Sequence, residues 1–557
     1  MGGQAKVFKD PIYGYIKIQN TFVSTFIDTP CFQRLRHIKQ TSYSPLYMTA
    51  THNRFAHSLG VYHLGEIVYK QIISFMSENM ERFNFKQDII QWVTTHEDLF
   101  LAACLLHDVG HAPFSHTSEK FYEIHIKNFM DSFFDSIDAG KKTILEDDAS
   151  KRLGAQPHEH MSVIIALQTF NDYFGTKSAD DKDFFARCIT GYTYTNAKTV
   201  LAQVKNCIIE LLNSKLIDVD KLDYIIRDAF VSGYQNVAID YKRLLGGMVI
   251  VRDKNEIVLA YHKSAMSVIQ NVVYAHDYGR EWIQNHPVIV YENFLLNHCI
   301  KKIQAFFDSI SKAKEMLFSI NSLTEKGNTF GDKSTGIINI SLLSDVDILF
   351  FIKNEERCQD SLTREYFNRN SRRHPLWKSE EEYHSFIGIE DKTNREKINE
   401  VFEEIDKLFA VLAEVKKINL LPVINDEALK IINDEYKKET EQDEKIKFER
   451  CTAYFKILKN FSVRHKIDFD FVIRPVSGFQ SNFSKLEIKK IKIWYPHDQK
   501  SIESTRRLTT LSADKEENNY FYFYIKHKDM DKKIGISDFS RLCGDLIKKY
   551  YALHQPE

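Results

Sequence analysis

Residues 102–116, AACLLHDVGHAPFSH, set His107, Asp108, His111 and His116 at the end of an apolar run. Imidazoles and a carboxylate at the end of a buried helix suit a divalent ion, which needs several donors converging from rigid elements. Two further donors of the same types stand elsewhere: His57 in HNRFAHSLG and Asp220 in LIDVDKLDYIIRD, both in stretches of helical pattern. Each taken alone could equally be a hydrogen-bonded core histidine or a helix-end residue. Cations lie close by. Arg54 precedes His57 by about one helical turn and shares its face, and Lys221 follows Asp220. Tyr224 and Asp228 are spaced i, i+4, so one helix face carries ligand, ring and carboxylate.

The elements that must hold these residues are mostly helical. NRFAHSLGVYHLGEIVYKQIISFM has apolar residues at helical spacing, and Asp98 to Leu106 predicts a buried helix stopping near Gly110 and Pro113. Thr29 and Pro30 read as an N-cap and first turn. Residues 135–157 read as a polar loop, helices resume through 160–245, and EIVLAYHKSA predicts a strand leading into a helix. Residues 262–320 are again helical by pattern, 321–340 read as a surface loop, and 392–450 as long solvent-exposed helices. DFDFVIRPV, LEIKKIKIWYP and NYFYFYIKHK predict strands, and ISDFSRLCGDLIKKYYALH a closing amphipathic helix. The expected fold is mainly α with a smaller C-terminal α+β lobe.

Bulk composition narrows the function classes. The chain has 557 residues, with 75 Lys and Arg against 76 Asp and Glu, so no global field draws it to nucleic acid or membrane. Local basic stretches, KLEIKKIKI and the pair in STRRLT, leave nucleic-acid binding open, although a basic strand also serves as a solvated edge. Eight cysteines are scattered singly and predict buried thiols. The start lacks a secretory apolar region, and no run reaches membrane-spanning length, so a cytoplasmic setting is expected.

The joint pattern is more specific than its parts. KVFKDPIYGYI, IDTPCFQRLRHIKQ, HNRFAHSLGV, LLHDVGHAPFSH, IDVDKLDYIIRD and IDYKRLL occur in one order over residues 6–245. The chain thereby resembles the HD-domain phosphohydrolases, and within them the deoxynucleoside triphosphate (dNTP) triphosphohydrolases. The resemblance implies an HD-domain helical core over residues 1–345, a charged helical extension over 346–465 and the α+β lobe over 466–557. It implies one divalent metal (Mn, Fe, Mg, Ni or Zn) on His57, His107, Asp108 and Asp220. His116 and His158 match catalytic histidines, Glu119 their acidic partner, and His111 a contact near the α-phosphate; His160 competes with His158. Arg54 and Lys221 match phosphate contacts, while Gln40, Tyr224 and Asp228 match contacts to the deoxyribose. His276 stands where the family often has a phosphate-binding arginine, and Arg280 follows one turn later.

Lys6, Val7, Asp28, Gln33 and Arg36 match a guanine-nucleotide effector pocket in the family, and Arg243 a second-nucleotide contact. The resemblance thus implies a dNTP substrate, a GTP or dNTP effector and a homo-oligomer, dimer or tetramer. Ordinary ion pairs packing the N-terminal segment are the alternative for these residues. Two other functions fit the same residues: an HD phosphohydrolase or phosphodiesterase acting on a signalling nucleotide or nucleic acid, and a nucleotide-sensing interaction protein.

Overall fold

The computed structural model describes residues 5–121, 137, 155–234, 238–310, 317–332, 336–387, 392–416, 418, 420–476, 490–498, 500–503, 520–526 and 534–554. Most of the 135–157 segment, Lys485–Lys489 of KLEIKKIKI and Arg506–Arg507 lie outside the described residues. The chain divides into two compact units that interleave along the sequence. The first comprises residues 1–280, 299–358 and 481–514; the second comprises 281–298, 359–480 and 515–557.

The first unit opens with an antiparallel hairpin, β1 (Ala5–Asp10) and β2 (Gly14–Gln19), rather than a helix. The alternation Tyr15-Ile16-Lys17-Ile18 buries both isoleucines, as a half-buried strand requires. Asp10 accepts from the backbone N–H groups of Ile12 and Tyr13 and so closes the turn. The expected helix at Pro30 is present, with the Thr29 hydroxyl accepting from the N–H of Phe32.

Four helices carry the residues of interest: α1 (Arg54–Glu78), α2 (Glu97–Leu106), α3 (Pro157–Thr169) and α4 (Val219–Val231). Every residue of α2 from Leu99 to Leu106 is buried, which fits its unbroken apolar sequence and makes it a fixed post. A four-stranded sheet contains β3 (Met248–Asp253) and β4 (Glu256–His262), extended by strands Lys492–Tyr495 and Lys500–Glu503. One strand expected in the C-terminal lobe therefore completes a sheet of the first unit. Trp494 anchors it, packing edge-on against Phe75. Residues 321–340 are not a loop: they hold the hairpin Asn328–Asp332/Gly336–Ile340, with Phe330 buried, followed by helix α5 (Asp345–Asn354).

The second unit packs helices Lys392–Ala410, Asp426–Lys438, Gln442–His465 and Ile536–Leu553 around strands Val472–Val476 and Tyr520–Ile525. The helices expected to be solvent-exposed are amphipathic instead. Ile398, Val401, Phe402, Ile405 and Leu408 are all buried on one of them. All eight cysteines are buried thiols. No helix among the described residues is long and apolar enough to cross a membrane.

Candidate active site

Three helix ends bring the four candidate ligands together. Asn53 caps α1 by accepting from the N–H of Ala56, and His57 sits one turn inside. His107 and Asp108 follow the last residue of α2. Asp218 caps α4 by accepting from the N–H of Lys221, which places Asp220 in the first turn. His57 Nε2 lies 3.0 Å from Asp220 Oδ1, 3.2 Å from His107 Nε2 and 3.7 Å from Asp108 Oδ2. His107 Nε2 lies 3.6 Å from an oxygen of each carboxylate.

The other nitrogen of each ring is already engaged. His57 Nδ1 donates to Asp223 at 2.7 Å, and Asp223 is gripped by Arg227 at 2.9 and 3.0 Å. Arg227 in turn reaches Asp10 of the hairpin at 3.0 Å. His107 Nδ1 donates to the carbonyl of Cys104 at 2.8 Å. With both Nδ1 atoms donating elsewhere, the two rings aim Nε2 at each other and at two carboxylates. Such a set calls for a cation at its centre, and outer hydrogen bonds of this kind fix the tautomer of metal-ligating histidines. A mixed imidazole–carboxylate set of four donors fits a divalent transition ion.

Charge agrees with geometry. Burial opposes a charged His57, but hydrogen bonds to Asp220 and Asp223 outweigh it and lift the ring to about 9. Burial also opposes the Asp108 carboxylate, yet Arg54, His107 and His57 hold it well below the usual range. Arg54 Nη1 reaches Asp108 at 2.8 Å, and its Nε donates to Ser115 at 3.0 Å. Two glycines permit the close approach of these elements. A Cβ on Gly60 would meet Asp223 Oδ1 at 1.9 Å, and one on Gly110 would meet the backbone nitrogen of Ser162 at 2.4 Å.

Beside this centre stands a second group. Glu119 pairs with His116 Nδ1 at 2.6 Å and with His158 Nδ1 at 3.1 Å. His158 comes from α3, and its ring stacks on His111 with centroids 4.3 Å apart. His160 is turned away to the hydroxyl of Tyr192 at 3.0 Å, and burial lowers it to about 4. Burial opposes charge on His158 as well, but Glu119 raises it to about 9. His111 is fully buried, and neither ring nitrogen has a hydrogen-bond partner. Burial and then the Arg54 charge press it well below the ordinary histidine value, so it is neutral. A neutral buried imidazole without a partner is a donor or acceptor kept for a ligand.

The remaining residues expected to touch substrate fall on neighbouring elements. Asp228 pairs with His52 Nε2 at 2.8 Å, and the N–H of Gln40 donates to the carbonyl of His52 at 3.1 Å. Gln40 is buried, and its side-chain oxygen has no hydrogen-bond partner. Tyr224 is half-buried on α4, with burial first and Asp220 next raising its hydroxyl, while Arg280 pulls the other way. Lys221 donates to the carbonyl of Ser214 and to Asp218 at 2.7 and 2.6 Å. His276 is buried beside Asp277, 3.3 Å away.

A family model described as HD domain matches residues 54–169. That stretch is thus similar to an HD domain. Its sequence is 33% identical over 253 residues to deoxynucleoside triphosphate triphosphohydrolase SAMHD1 of Danio rerio, covering 43% of this chain and 36% of that protein. The same-named protein of Gallus gallus is 27% identical over 74% of this chain and 60% of its own length. The uncharacterized protein YwfO of Bacillus subtilis is 27% identical over 55% of this chain and 57% of its own length. The chain thus spans roughly a third to three fifths of these relatives. These likenesses support kinship with an HD-domain, dNTPase-like family. A solved hypothetical protein from Aquifex aeolicus shares the fold, with a TM-score of 0.53 at 16% identity over 98% of this chain and 100% of that one.

The matched HD region holds His57, His107, Asp108 and the whole Glu119 group, whereas Asp220 reaches it from outside. Sequence reasoning missed the residues that hold the ligands. Asp223 and Arg227 share the stretch IDVDKLDYIIRD with Asp220, and their i, i+4 spacing was a usable signal. The five residues of the effector match, other than Arg243, form one exposed group beside the hairpin. Lys6 pairs with Asp28 at 3.1 Å, Gln33 donates to the carbonyl of Ile27, and Arg36 donates to Gln33 at 2.7 Å. The Arg36 guanidinium lies 3.5 Å over the Phe55 ring, and Val7 is exposed on β1. Arg243 is exposed on a separate short helix and shares no hydrogen bond or ion pair with them among the described residues.

Proposed function

We propose that the protein is a metal-dependent dNTP triphosphohydrolase, converting a dNTP and water to a deoxynucleoside and inorganic triphosphate. One observation carries the reading: His57, His107 and Asp108 cluster around one point, Asp220 lies 3.0 and 3.6 Å from the two rings, and the buried His111 lies between them and the His116–Glu119–His158 group. His57, His107, Asp108 and Asp220 hold the divalent ion. When bound, that ion polarises a phosphoryl oxygen and makes attack by water easier.

The chain's own residues do the rest. His111 donates a hydrogen bond to an oxygen of the α-phosphate. Water attacks the α-phosphorus, and the bond from phosphorus to the 5′-oxygen breaks. His116, held at Nδ1 by Glu119, hands its other proton to the departing 5′-oxygen. His158, kept charged by Glu119, offsets the negative charge that builds on the phosphate. Arg54, Lys221 and Arg280 supply positive charge along the triphosphate. Gln40 and Asp228 bind the sugar hydroxyl, and Tyr224 packs against the ring of the sugar. The exposed group at Lys6, Val7, Asp28, Gln33 and Arg36 takes a guanine nucleotide as activator between subunits of a homo-oligomer.

Purified protein incubated with each dNTP, alone and mixed with GTP, over a panel of divalent ions tests this. Release of tripolyphosphate and deoxynucleoside in equal amounts is expected. No release under any combination would overturn it.

A further inference from the structure

The catalytic turn is fastened by a segment more than two hundred residues away. Asp345, the first residue of α5, is 3% exposed. One of its oxygens accepts from the backbone N–H of Phe114 at 2.6 Å, and the other from the backbone N–H of Lys39 at 2.9 Å. Two residues earlier, the carbonyl of Leu343 accepts from Arg34 at 2.8 Å. The same guanidinium donates to the carbonyls of Val109 and His111 at 3.0 and 2.8 Å. Arg34 is itself buried.

The stretch held in this way needs holding. Phe114 and Ser115 both adopt left-handed backbone angles, φ 57° and 53°, which side chains with a Cβ resist. Ser115 is tied in as well, its hydroxyl donating to the carbonyl of Lys39 at 2.7 Å. Four of these bonds join residues 109–116 to Arg34, Asp345 or Lys39, and the other two tie Lys39 to Asp345 and Arg34 to Leu343. His111 and His116 lie inside that stretch, and Gln40 follows Lys39. Burial pushes the Asp345 carboxyl up to about 6, against the pull of its two N–H donors and of Arg34.

We infer that Asp345, acting with Arg34, is a positioning residue that locks the 109–116 turn and thereby sets His111 and His116 against the metal centre. The inference rests on the proposed hydrolase reading. His107 and Asp108 immediately precede the fastened turn, and none of the bonds above from Arg34 or to Asp345 reaches them. Placing a reacting group about 1 Å off can cost on the order of 10²-fold in rate, so loosening the turn is expected to act on turnover before binding.

The experiment uses full-length Asp345→Asn, which keeps one acceptor, and Arg34→Lys, which keeps the charge but not the fork. Hydrogen–deuterium exchange, bound metal per chain, and kcat and KM for the best dNTP are read for each. The inference expects faster exchange confined to residues 109–116 and the N–H of Lys39, unchanged metal content, kcat down about 10- to 100-fold and KM within about threefold. Should one variant fail to fold, the other decides. Unchanged exchange in that turn, or kcat within about twofold of the parent, would overturn it. So would a loss of activity that only tracks lost metal or global unfolding. If the parent hydrolyses no dNTP, the hydrolase reading falls, while the exchange and metal measurements still decide whether the turn is held from Asp345.

Discussion

His57 and His107 face each other with their Nε2 atoms 3.2 Å apart, while both Nδ1 atoms are engaged elsewhere. Two lone pairs at that distance repel unless a proton or a metal ion lies between them. Without metal, His57 takes the proton, since Asp220 and Asp223 outweigh burial and raise it to about 9.

Metal affinity should therefore depend on pH. The folded value for His57 is above the ordinary histidine value of about 6.5. Its charged form stabilises the metal-free fold fully below about 6.5, and that contribution is lost as pH rises through about 9. A metal must displace this proton, so affinity should climb by up to about tenfold per pH unit below 9 and level off above it. Competition titration against a chelator at several pH values checks this; a flat profile would contradict it.

Asp223→Asn should weaken metal binding about 10- to 100-fold without removing a ligand. The change takes away the anion that Arg227 and His57 share. Metal content after dialysis against buffered free metal is the measurement.

Glu119→Gln should move the pH profile rather than the metal. Glu119 is what lifts His158 to about 9 against its burial. His158 contributes its charge below that value and loses it above. With the anion gone, the alkaline limb of kcat should shift to lower pH by more than one unit, with metal stoichiometry unchanged. A limb that stays in place would assign it to another group.

Gly110→Ala should cost about 1–3 kcal/mol of stability and most of the activity. The added Cβ would meet the backbone of Ser162 and Met161, which cannot swing aside as a side chain can. Denaturant unfolding and turnover, measured on the same preparation, read both effects.

The clustered donors were legible because their residue types are rare together and each lies on, or just past the end of, a helix whose pattern is plain. Asp223 and Arg227 showed only as an i, i+4 pair, and Asp10 not at all, because its ion pair with Arg227 joins β1 to α4 and leaves no trace in local pattern. His158 and His160 could not be separated by spacing; the fold separates them by giving Tyr192 to one and Glu119 to the other. The opening hairpin was missed although its alternation is visible, since a run read as part of a motif was not tested for period two. The Asn328–Asp332/Gly336–Ile340 hairpin was hidden by glycine and threonine content that favours turns and strands alike. The swap of Lys492–Tyr495 into the first unit's sheet is a long-range pairing with β4 that no local rule encodes.

The backbone contact at Gly110 has a mechanical consequence. The N–H of Gly110 also donates to the hydroxyl of Ser162, so the turn after the HD pair and helix α3 touch without any side chain as a cushion. Ligands on one body and His158 on the other must then travel together. The distance between the clustered donors and the His158 ring is held by that contact.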